Sequence, residues 1–252
     1  MIDSHSHLFD EQFENDLEEC INRCKLNNIN KVVLVGFSRE TNRRAQELSE
    51  KYDIFFPTAG VHPSEASSNY LELLDELYEF VKNNKVYAIG ECGLDYYWVK
   101  DNSEYQKALF KAQCELAIKL DLPIIVHMRD ATKDTYDILK EYKGKIKGVM
   151  HCYSGSLEMA KEFIKLGFYI SLGGPVTFKN AKESKEIAKI IPLDKLLVET
   201  DCPYLSPTPF RGKRNESAYV YYTALEIANL RGITLEELDL ATTNNAQNLF
   251  RI

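Results

Sequence analysis

Residues 103–143 read SEYQKALFKAQCELAIKLDLPIIVHMRDATKDTYDILKEYK. Within this stretch, residues 103–120 and 131–143 repeat apolar side chains at spacings of three and four, which predicts two amphipathic helices. Between them, PIIVHM at 123–128 is a short apolar and β-branched run, which predicts a buried strand. Strands that alternate with helices are typical of a parallel sheet, so the segment predicts an α/β fold.

The same alternation extends along the whole chain. Runs typical of strands lie at residues 1–5, 31–36, 54–60, 86–91, 123–128, 147–152, 168–173 and 195–200. Further helical patterns lie at 10–27, 65–84, 156–166, 214–231 and 235–250. Eight repeats in 252 residues favour a closed barrel over an open doubly wound sheet, the alternative. We therefore predict a TIM-type (β/α)8 barrel, with residues 1–252 forming a single domain.

Composition and charge limit the classes of function. No apolar run reaches the roughly 18 residues of a membrane-spanning helix, and the start MIDSHSHLFD lacks a signal-like pattern, so we expect a cytoplasmic protein. The six cysteines are then expected to be free thiols. A net charge of −7 disfavours a protein that coats nucleic acid. Bound cations can nevertheless attract a phosphate locally, so a phosphate substrate stays possible.

The histidines indicate an active site. Each of the five lies at or just beyond the C-terminal end of a predicted strand, where the loops of a TIM barrel build the active site. They are His5, His7, His62, His127 and His151. Structural histidines would be scattered through the elements, so this grouping predicts a functional role.

His5 and His7 are two positions apart, so on an extended strand they face the same side and can bind one metal ion. A surface pair of histidines is the alternative. Asp3 lies two positions before His5, so on a regular strand it faces the same side. We expect its carboxylate to orient an imidazole by contacting the ring nitrogen that does not bind the metal. The pair therefore predicts one half of a metal site.

Carboxylates extend this set to two metal ions. Glu91 ends the fourth predicted strand and Asp201 follows the eighth. A buried carboxylate is costly unless a cation receives it, and a carboxylate can bridge two cations whereas an imidazole binds one. We therefore expect Glu91 to bridge a pocket of His5, His7 and Asp201 and a second pocket formed by two further histidines. These two are His127 and His151.

The alternation of side chains along a strand also predicts which side the residues next to the ligands face. Glu199 shares parity with Asp201, so we expect it inside the barrel one layer deeper, as a support for the ligands. Three cysteines each directly follow a proposed ligand and should point outward as packing residues. They are Cys92, Cys152 and Cys202.

Substrate contacts are expected from a histidine and two basic residues. His62 lies in GVHPSEA, where Pro63 is suited to open a helix whose amides attract an anion. Arg129 follows His127, and Lys213 lies in PFRGKRN, so both place positive charge near the same face. We expect these three residues to bind phosphate, with a solvated loop as the alternative.

Several motifs resemble the TatD deoxyribonuclease-like family. They are DSHSHLF at 3–9, GECGLDYY at 90–97, HMRD at 127–130, HCYSG at 151–155 and ETDCPYLSP at 199–207. Glu91 stands where many members of the wider amidohydrolase superfamily carry a carboxylated lysine, which favours the TatD branch. The resemblance implies a barrel whose six ligands hold divalent magnesium, manganese or zinc. It also implies phosphodiester hydrolysis by a 3′-to-5′ exonuclease.

The expected function is therefore hydrolysis of DNA ends, in single strands, by water activated between two divalent metal ions. Asp201 and Glu91 are the expected catalytic carboxylates, and Asp201 either accepts the proton of that water or only orients it. Four aromatic residues near the strand ends are candidates for base stacking: Tyr96, Tyr97, Trp98 and Tyr153. No obligate protein partner is indicated.

Two other functions remain open from the sequence. An amide or ester hydrolase with the same metals, such as a D-aminoacyl-tRNA deacylase, needs the same activated water. A noncatalytic barrel that serves as a scaffold or binding module is the third possibility, but it gives six converging ligands no purpose. Assays on a 3′-ended single strand and on D-aminoacyl-tRNA separate the first two.

Overall fold

The computed structural model describes all 252 residues and contains the eight predicted strands, all parallel to their neighbours. The strands are β1 (Ile2–Ser6), β2 (Lys31–Val35), β3 (Phe55–Thr58), β4 (Ile89–Asp95), β5 (Ile124–Arg129), β6 (Gly148–Met150), β7 (Phe168–Leu172) and β8 (Leu196–Val198). The expected α/β barrel is confirmed. The largest difference from the predicted ranges is in β4, which extends to Asp95, so that Glu91 lies inside the strand rather than at its end.

The strands follow one another around the barrel in chain order. Hydrogen bonds pair β1, β2 and β3 in one sheet and β4 to β8 in another. Single parallel bridges join the two sheets at both edges, between Ala59 and Ile89 and between Ser6 and Cys202. Because all strands run the same way, their C-terminal ends meet at one face.

Nine helices accompany the strands. They are α1 (Leu17–Leu26), α2 (Arg39–Lys51), α3 (Tyr70–Asn83), α4 (Ser103–Leu120), α5 (Thr132–Glu141), α6 (Leu157–Leu166), α7 (Lys182–Ile190), α8 (Val220–Arg231) and α9 (Leu235–Phe250). Three of them, α1, α3 and α8, begin later than the sequence predicted, because a short 3-10 turn and several residues outside any helix precede each one. None of the nine is long and apolar enough to cross a bilayer.

Alternate strand residues fill the inside of the barrel. Ile125, Val149 and Leu197 belong to an apolar cluster that α9 side chains also join, separate from the larger core between strands and helices. Alternate residues of a strand face the same side. The residues two positions further along these strands are His127, His151 and Glu199, so polar groups form the next layer toward the C-terminal face.

Two irregularities in the strands change which residues face inward. The register shifts between Asp3 and Ser6 in β1 and between Ile89 and Cys92 in β4. Such bulges redirect side chains locally. In β4 the shift leaves Cys92 in the core against the helices, while its neighbour Glu91 faces the histidines.

Candidate metal centre

The six predicted ligands come together at the C-terminal face. They come from five strands or the residues that follow them: His5 and His7, Glu91, His127, His151 and Asp201. Each of the four histidines has a ring nitrogen between 3.3 and 3.6 Å from a carboxylate oxygen of Glu91. The barrel therefore gathers residues that lie almost 200 positions apart in the chain.

One group of donor atoms surrounds the first candidate position. Nε2 of His5 lies 3.2 Å from Nε2 of His7. Oε2 of Glu91 is 3.6 Å from each of these two nitrogens, and Oδ1 of Asp201 is 3.6 Å from His5 and 3.4 Å from His7. The backbone helps to hold the group, because the amide of Asp201 donates to the carbonyl of His5 at 2.9 Å.

A second group lies on the other side of Glu91. Oε1 of Glu91 is 3.3 Å from Nδ1 of His127 and 3.3 Å from Nε2 of His151. The two imidazole nitrogens are 3.2 Å apart. The two oxygens of Glu91 thus face different groups of histidines.

These spacings fit divalent metal ions. Ligands at about 2.1 Å from a tetrahedral ion lie about 3.4 Å from one another. The donor separations of 3.2–3.6 Å in both groups are close to that value. Imidazole and carboxylate donors together suit zinc and other divalent ions. Both groups could therefore hold a metal ion.

The charges of the site depend on this clustering. Burial raises the pKa of Glu91, but the nearby imidazoles of His127, His151 and His5 lower it by more, so the group stays ionised well below its usual range. Burial lowers the pKa of His151, yet the nearby carboxylates of Glu199 and Glu91 raise it well above that of a free imidazole. Without a cation, the ionised carboxylate of Glu91 is therefore balanced by protons that the neighbouring imidazoles retain.

Asp95 is a functional candidate that the sequence did not single out. Its Oδ2 lies 3.0 Å from Nε2 of His127, the ring nitrogen that faces away from Glu91. A carboxylate on the second nitrogen of a ligand histidine fixes the tautomer and the ring orientation. The acidic residue in GECGLDYY was the available signal, but β4 was expected to end before it.

The two expected supporting carboxylates differ in outcome. Glu199 lies inside the barrel, where Oε1 accepts from the amide of Cys152 at 2.6 Å and is 3.6 Å from Nδ1 of His151. Asp3 does not reach an imidazole side chain. Its oxygens accept from the amide and hydroxyl of Thr200 at 2.9 and 2.6 Å, because the bulge in β1 breaks its parity with His5. Asp3 thus ties β1 to the segment before Asp201.

The three residues expected to bind phosphate lie at different distances from the donor groups. His62 lies at the site, with Nε2 3.9 Å from Oε1 of Glu91, but Pro63 opens only a three-residue 3-10 turn. Arg129 is exposed and lines a cleft beside the donor groups. Lys213 is exposed in the loop before α8 and does not line that cleft.

The same cleft corrects the expectation for one cysteine. It has a volume of about 290 Å³ and is lined by His127, His151 and Asp201 among others. Cys152 also lines it, because a positive φ of 41° interrupts the alternation after β6. Cys92 and Cys202 are fully buried away from it, as expected.

Comparisons with known proteins agree with this geometry. A family model described as TatD related DNase matches residues 2–251. The metal-dependent hydrolase YabD of Bacillus subtilis (strain 168) is 51% identical over 100% of this chain and 99% of its own length. The 3′-5′ ssDNA/RNA exonuclease TatD of Klebsiella pneumoniae (strain 342) is 34% identical over 100% and 98%.

A solved structure supports the fold. The crystal structure of YJJV, a TatD homologue from Escherichia coli K12, superposes with a TM-score of 0.91 at 31% identity and covers 100% of this chain and 98% of that one. Sequence and structure therefore agree over the whole length. The chain belongs to the TatD family of metal-dependent hydrolases.

Proposed function

We propose that the chain is a 3′-to-5′ exonuclease that hydrolyses single-stranded DNA with two divalent metal ions. The observation that carries this proposal is the position of Glu91, whose two oxygens face two separate groups of histidines. The 3′-5′ ssDNA/RNA exonuclease activity for which the Klebsiella relative is named supports the choice of bond and substrate.

In this proposal His5, His7 and Asp201 would hold one ion, His127 and His151 would hold the other, and Glu91 would contribute one oxygen to each. Bound divalent cations supply positive charge for the phosphate and Lewis acidity that lowers the pKa of water. The tetrahedral spacing of the donors and the charge of Glu91 favour cations there. Magnesium, manganese and zinc are all compatible with donors of this kind.

Asp201 is the proposed proton acceptor. Its Oδ1 faces His5 and His7, while the residue also lines the cleft. Burial raises its pKa, but the contact with His7 and the charges of the nearby histidines lower it below the usual range, so the carboxylate is ionised. An ionised carboxylate at the cleft wall can orient a water molecule and take its proton at the second oxygen.

His62 is proposed as a hydrogen-bond donor to the phosphate. Burial lowers its pKa to about 4, so the ring is neutral at pH 7. Its Nδ1 accepts from the amide of Ser64 at 3.1 Å, which leaves the ring proton on Nε2. A protonated Nε2 near Glu91 suits donation to a phosphate oxygen better than it suits metal binding.

Two basic residues complete the proposed contacts. Arg129 lines the cleft, which supports a contact between its guanidinium and a phosphate of the bound strand. Lys213 is exposed in its loop and is proposed as a more distant contact. The cleft of about 290 Å³ lies at the lower end of the range for ligand pockets, which favours one terminal nucleotide over a duplex.

The test is hydrolysis of a labelled strand with a free or a blocked 3′ end, in each of the three metals. We expect stepwise shortening from the free 3′ end, and a loss of at least about 100-fold in rate for Asp201→Asn. The exposed Asp137→Asn on α5 is the matched control and should retain wild-type rates. Activity confined to D-aminoacyl-tRNA, or cleavage that ignores the blocked 3′ end, contradicts the proposal.

A further inference from the structure

Two aromatic rings and a guanidinium form an exposed cluster at the C-terminal face. The rings of Tyr97 and Trp98 are perpendicular with centroids 4.8 Å apart, and Cζ of Arg129 lies 4.2 Å from the first centroid and 5.4 Å from the second. Trp98 is 70% exposed and Tyr97 is 48% exposed. We call these three residues the Arg129 platform.

The other two aromatic candidates are not available for stacking. Tyr153 is only 4% exposed, and its hydroxyl donates to the carbonyl of Ser156 at 2.9 Å. The hydroxyl of Tyr96 donates to Asp134 at 2.9 Å. Both rings therefore serve packing.

The platform is tied to the metal centre through one carboxylate. Oδ1 of Asp95 accepts from the amides of Tyr97 and Trp98, each at 2.9 Å, while Oδ2 faces His127 at 3.0 Å. Arg129 lies two residues beyond His127 on β5, which corresponds to about 7 Å along a strand. The platform and the candidate ligand are thus held in one arrangement.

We propose that the Arg129 platform stacks on the base of the nucleotide next to the scissile phosphodiester in single-stranded DNA. This inference rests on the proposed exonuclease function and adds the residues that grip the strand. Trp98 offers its open face to the base, and the Arg129 guanidinium meets the neighbouring phosphate. Stacking needs an unpaired base, so the platform selects single strands.

Charge and chemistry favour this occupant. The chain carries a net charge of −7, yet Arg129 forms no ion pair with a carboxylate of the chain, so its charge is available for a phosphate. Guanidinium groups both stack on aromatic rings and bind phosphates. Every base has a face for stacking, so we expect little preference among the four bases.

Trp98 also provides the measurement, because it is the only tryptophan in the chain. The magnesium-loaded enzyme is titrated with a short strand whose last linkages are phosphorothioates, which slows cleavage during binding. We expect the strand to quench Trp98 emission. The same strand with an abasic sugar at the stacked position should bind without that quenching.

Variants test whether the ring itself carries the affinity. Trp98→Ala should weaken binding of the intact strand by about 5-fold to 150-fold and leave binding of the abasic strand nearly unchanged. Trp98→Phe should keep most of the affinity. Tyr87→Ala is the matched control, because Tyr87 also meets a cation, Lys85 at 5.2 Å, but precedes the start of β4 at the opposite end of the barrel.

Equal weakening of intact and abasic strands by Trp98→Ala overturns the stacking proposal, and so does unchanged binding of both. The parent function is judged separately on an unmodified strand. If the enzyme shortens that strand but Trp98 has no effect on binding, only the platform inference fails. If binding depends on Trp98 and the base but no cleavage occurs with any metal, the exonuclease proposal fails, while stacking of a base on the Arg129 platform stands.

Discussion

Oδ2 of Asp95 lies 3.0 Å from Nε2 of His127. The same imidazole presents Nδ1 to Oε1 of Glu91, so the carboxylate holds the ring with its other nitrogen toward the candidate metal position. Asp95→Asn should weaken binding of the metal ion proposed between His127 and His151 by about 10-fold to 100-fold, because a neutral amide fixes the His127 ring less firmly. Calorimetric titration of metal-free protein measures this.

Two observations separate a change in metal affinity from a change in the structure of the loop after β4. In Asp95→Asn the remaining side-chain oxygen can still accept from the amides of Tyr97 and Trp98, so the loop after β4 should be retained. Asp134→Asn, at a carboxylate that meets Tyr96 and Lys107 in the neighbouring helix layer, should leave metal affinity unchanged. Equal affinities for Asp95→Asn and wild type contradict the assigned role.

Glu91→Ala should remove metal from both positions at once. Oε2 of Glu91 faces His5 and His7 and Oε1 faces His127 and His151, so one substitution takes a donor from each group. Metal content measured after dialysis should fall from about two ions toward none. Full retention of two ions rules out a bridging role, and loss of only one assigns Glu91 to a single position.

Metal binding should weaken as the pH falls. Burial lowers the pKa values of His7, His127 and His151, but their carboxylate partners raise them further, so all three lie above the ordinary value. A raised pKa means that the imidazole keeps its proton to higher pH, and a metal ion must displace that proton. The affinity should fall about tenfold per pH unit for each proton displaced.

Titrations in two buffers with different ionisation enthalpies count the released protons. His62→Gln is the comparison variant, because the pKa of His62 is lowered to about 4, so its ring is already neutral at pH 7 and has no imidazolium proton to release. The metal affinity of His62→Gln should change with pH as steeply as that of the wild type. An affinity that is independent of pH contradicts the proton-sharing arrangement described for the metal-free site.

The contrast between Glu199 and Asp3 shows which parts of the site the sequence could predict. The alternation along β8 continues from Leu197, which faces the inside of the barrel, to Glu199, so parity was sufficient to predict that Glu199 lies inside. The prediction that Asp3 orients an imidazole was wrong, because a bulge in β1 places it beside Thr200. No residue type in this segment indicates the bulge. Periodicity predicts strands, whereas bulges depend on contacts between them.

Asp95 was missed for a related reason. The apolar run ends near Glu91, but pairing with β5 carries β4 on to Asp95. Gly93 lies at the centre of this extension, opposite His127 in the register, with φ at +139°. Glycine tolerates this conformation because it lacks a Cβ. The extended strand is thus a property of two strands together rather than of one segment.

Gly93→Ala tests that relationship. A Cβ built there lies 2.0 Å from the carbonyl oxygen of His127, so β4 and β5 must move apart. We expect a loss of about 3 kcal/mol or more in the free energy of unfolding by urea, from strain and clash together. Gly144→Ala is the matched control, since its φ is +77° but nothing lies within 4 Å, and it should lose only about 1 kcal/mol. Because Gly93 lies between Glu91 and Asp95, metal affinity should fall with stability at this position alone. Equal losses at the two glycines would show that the close approach of β4 to His127 contributes nothing beyond backbone strain.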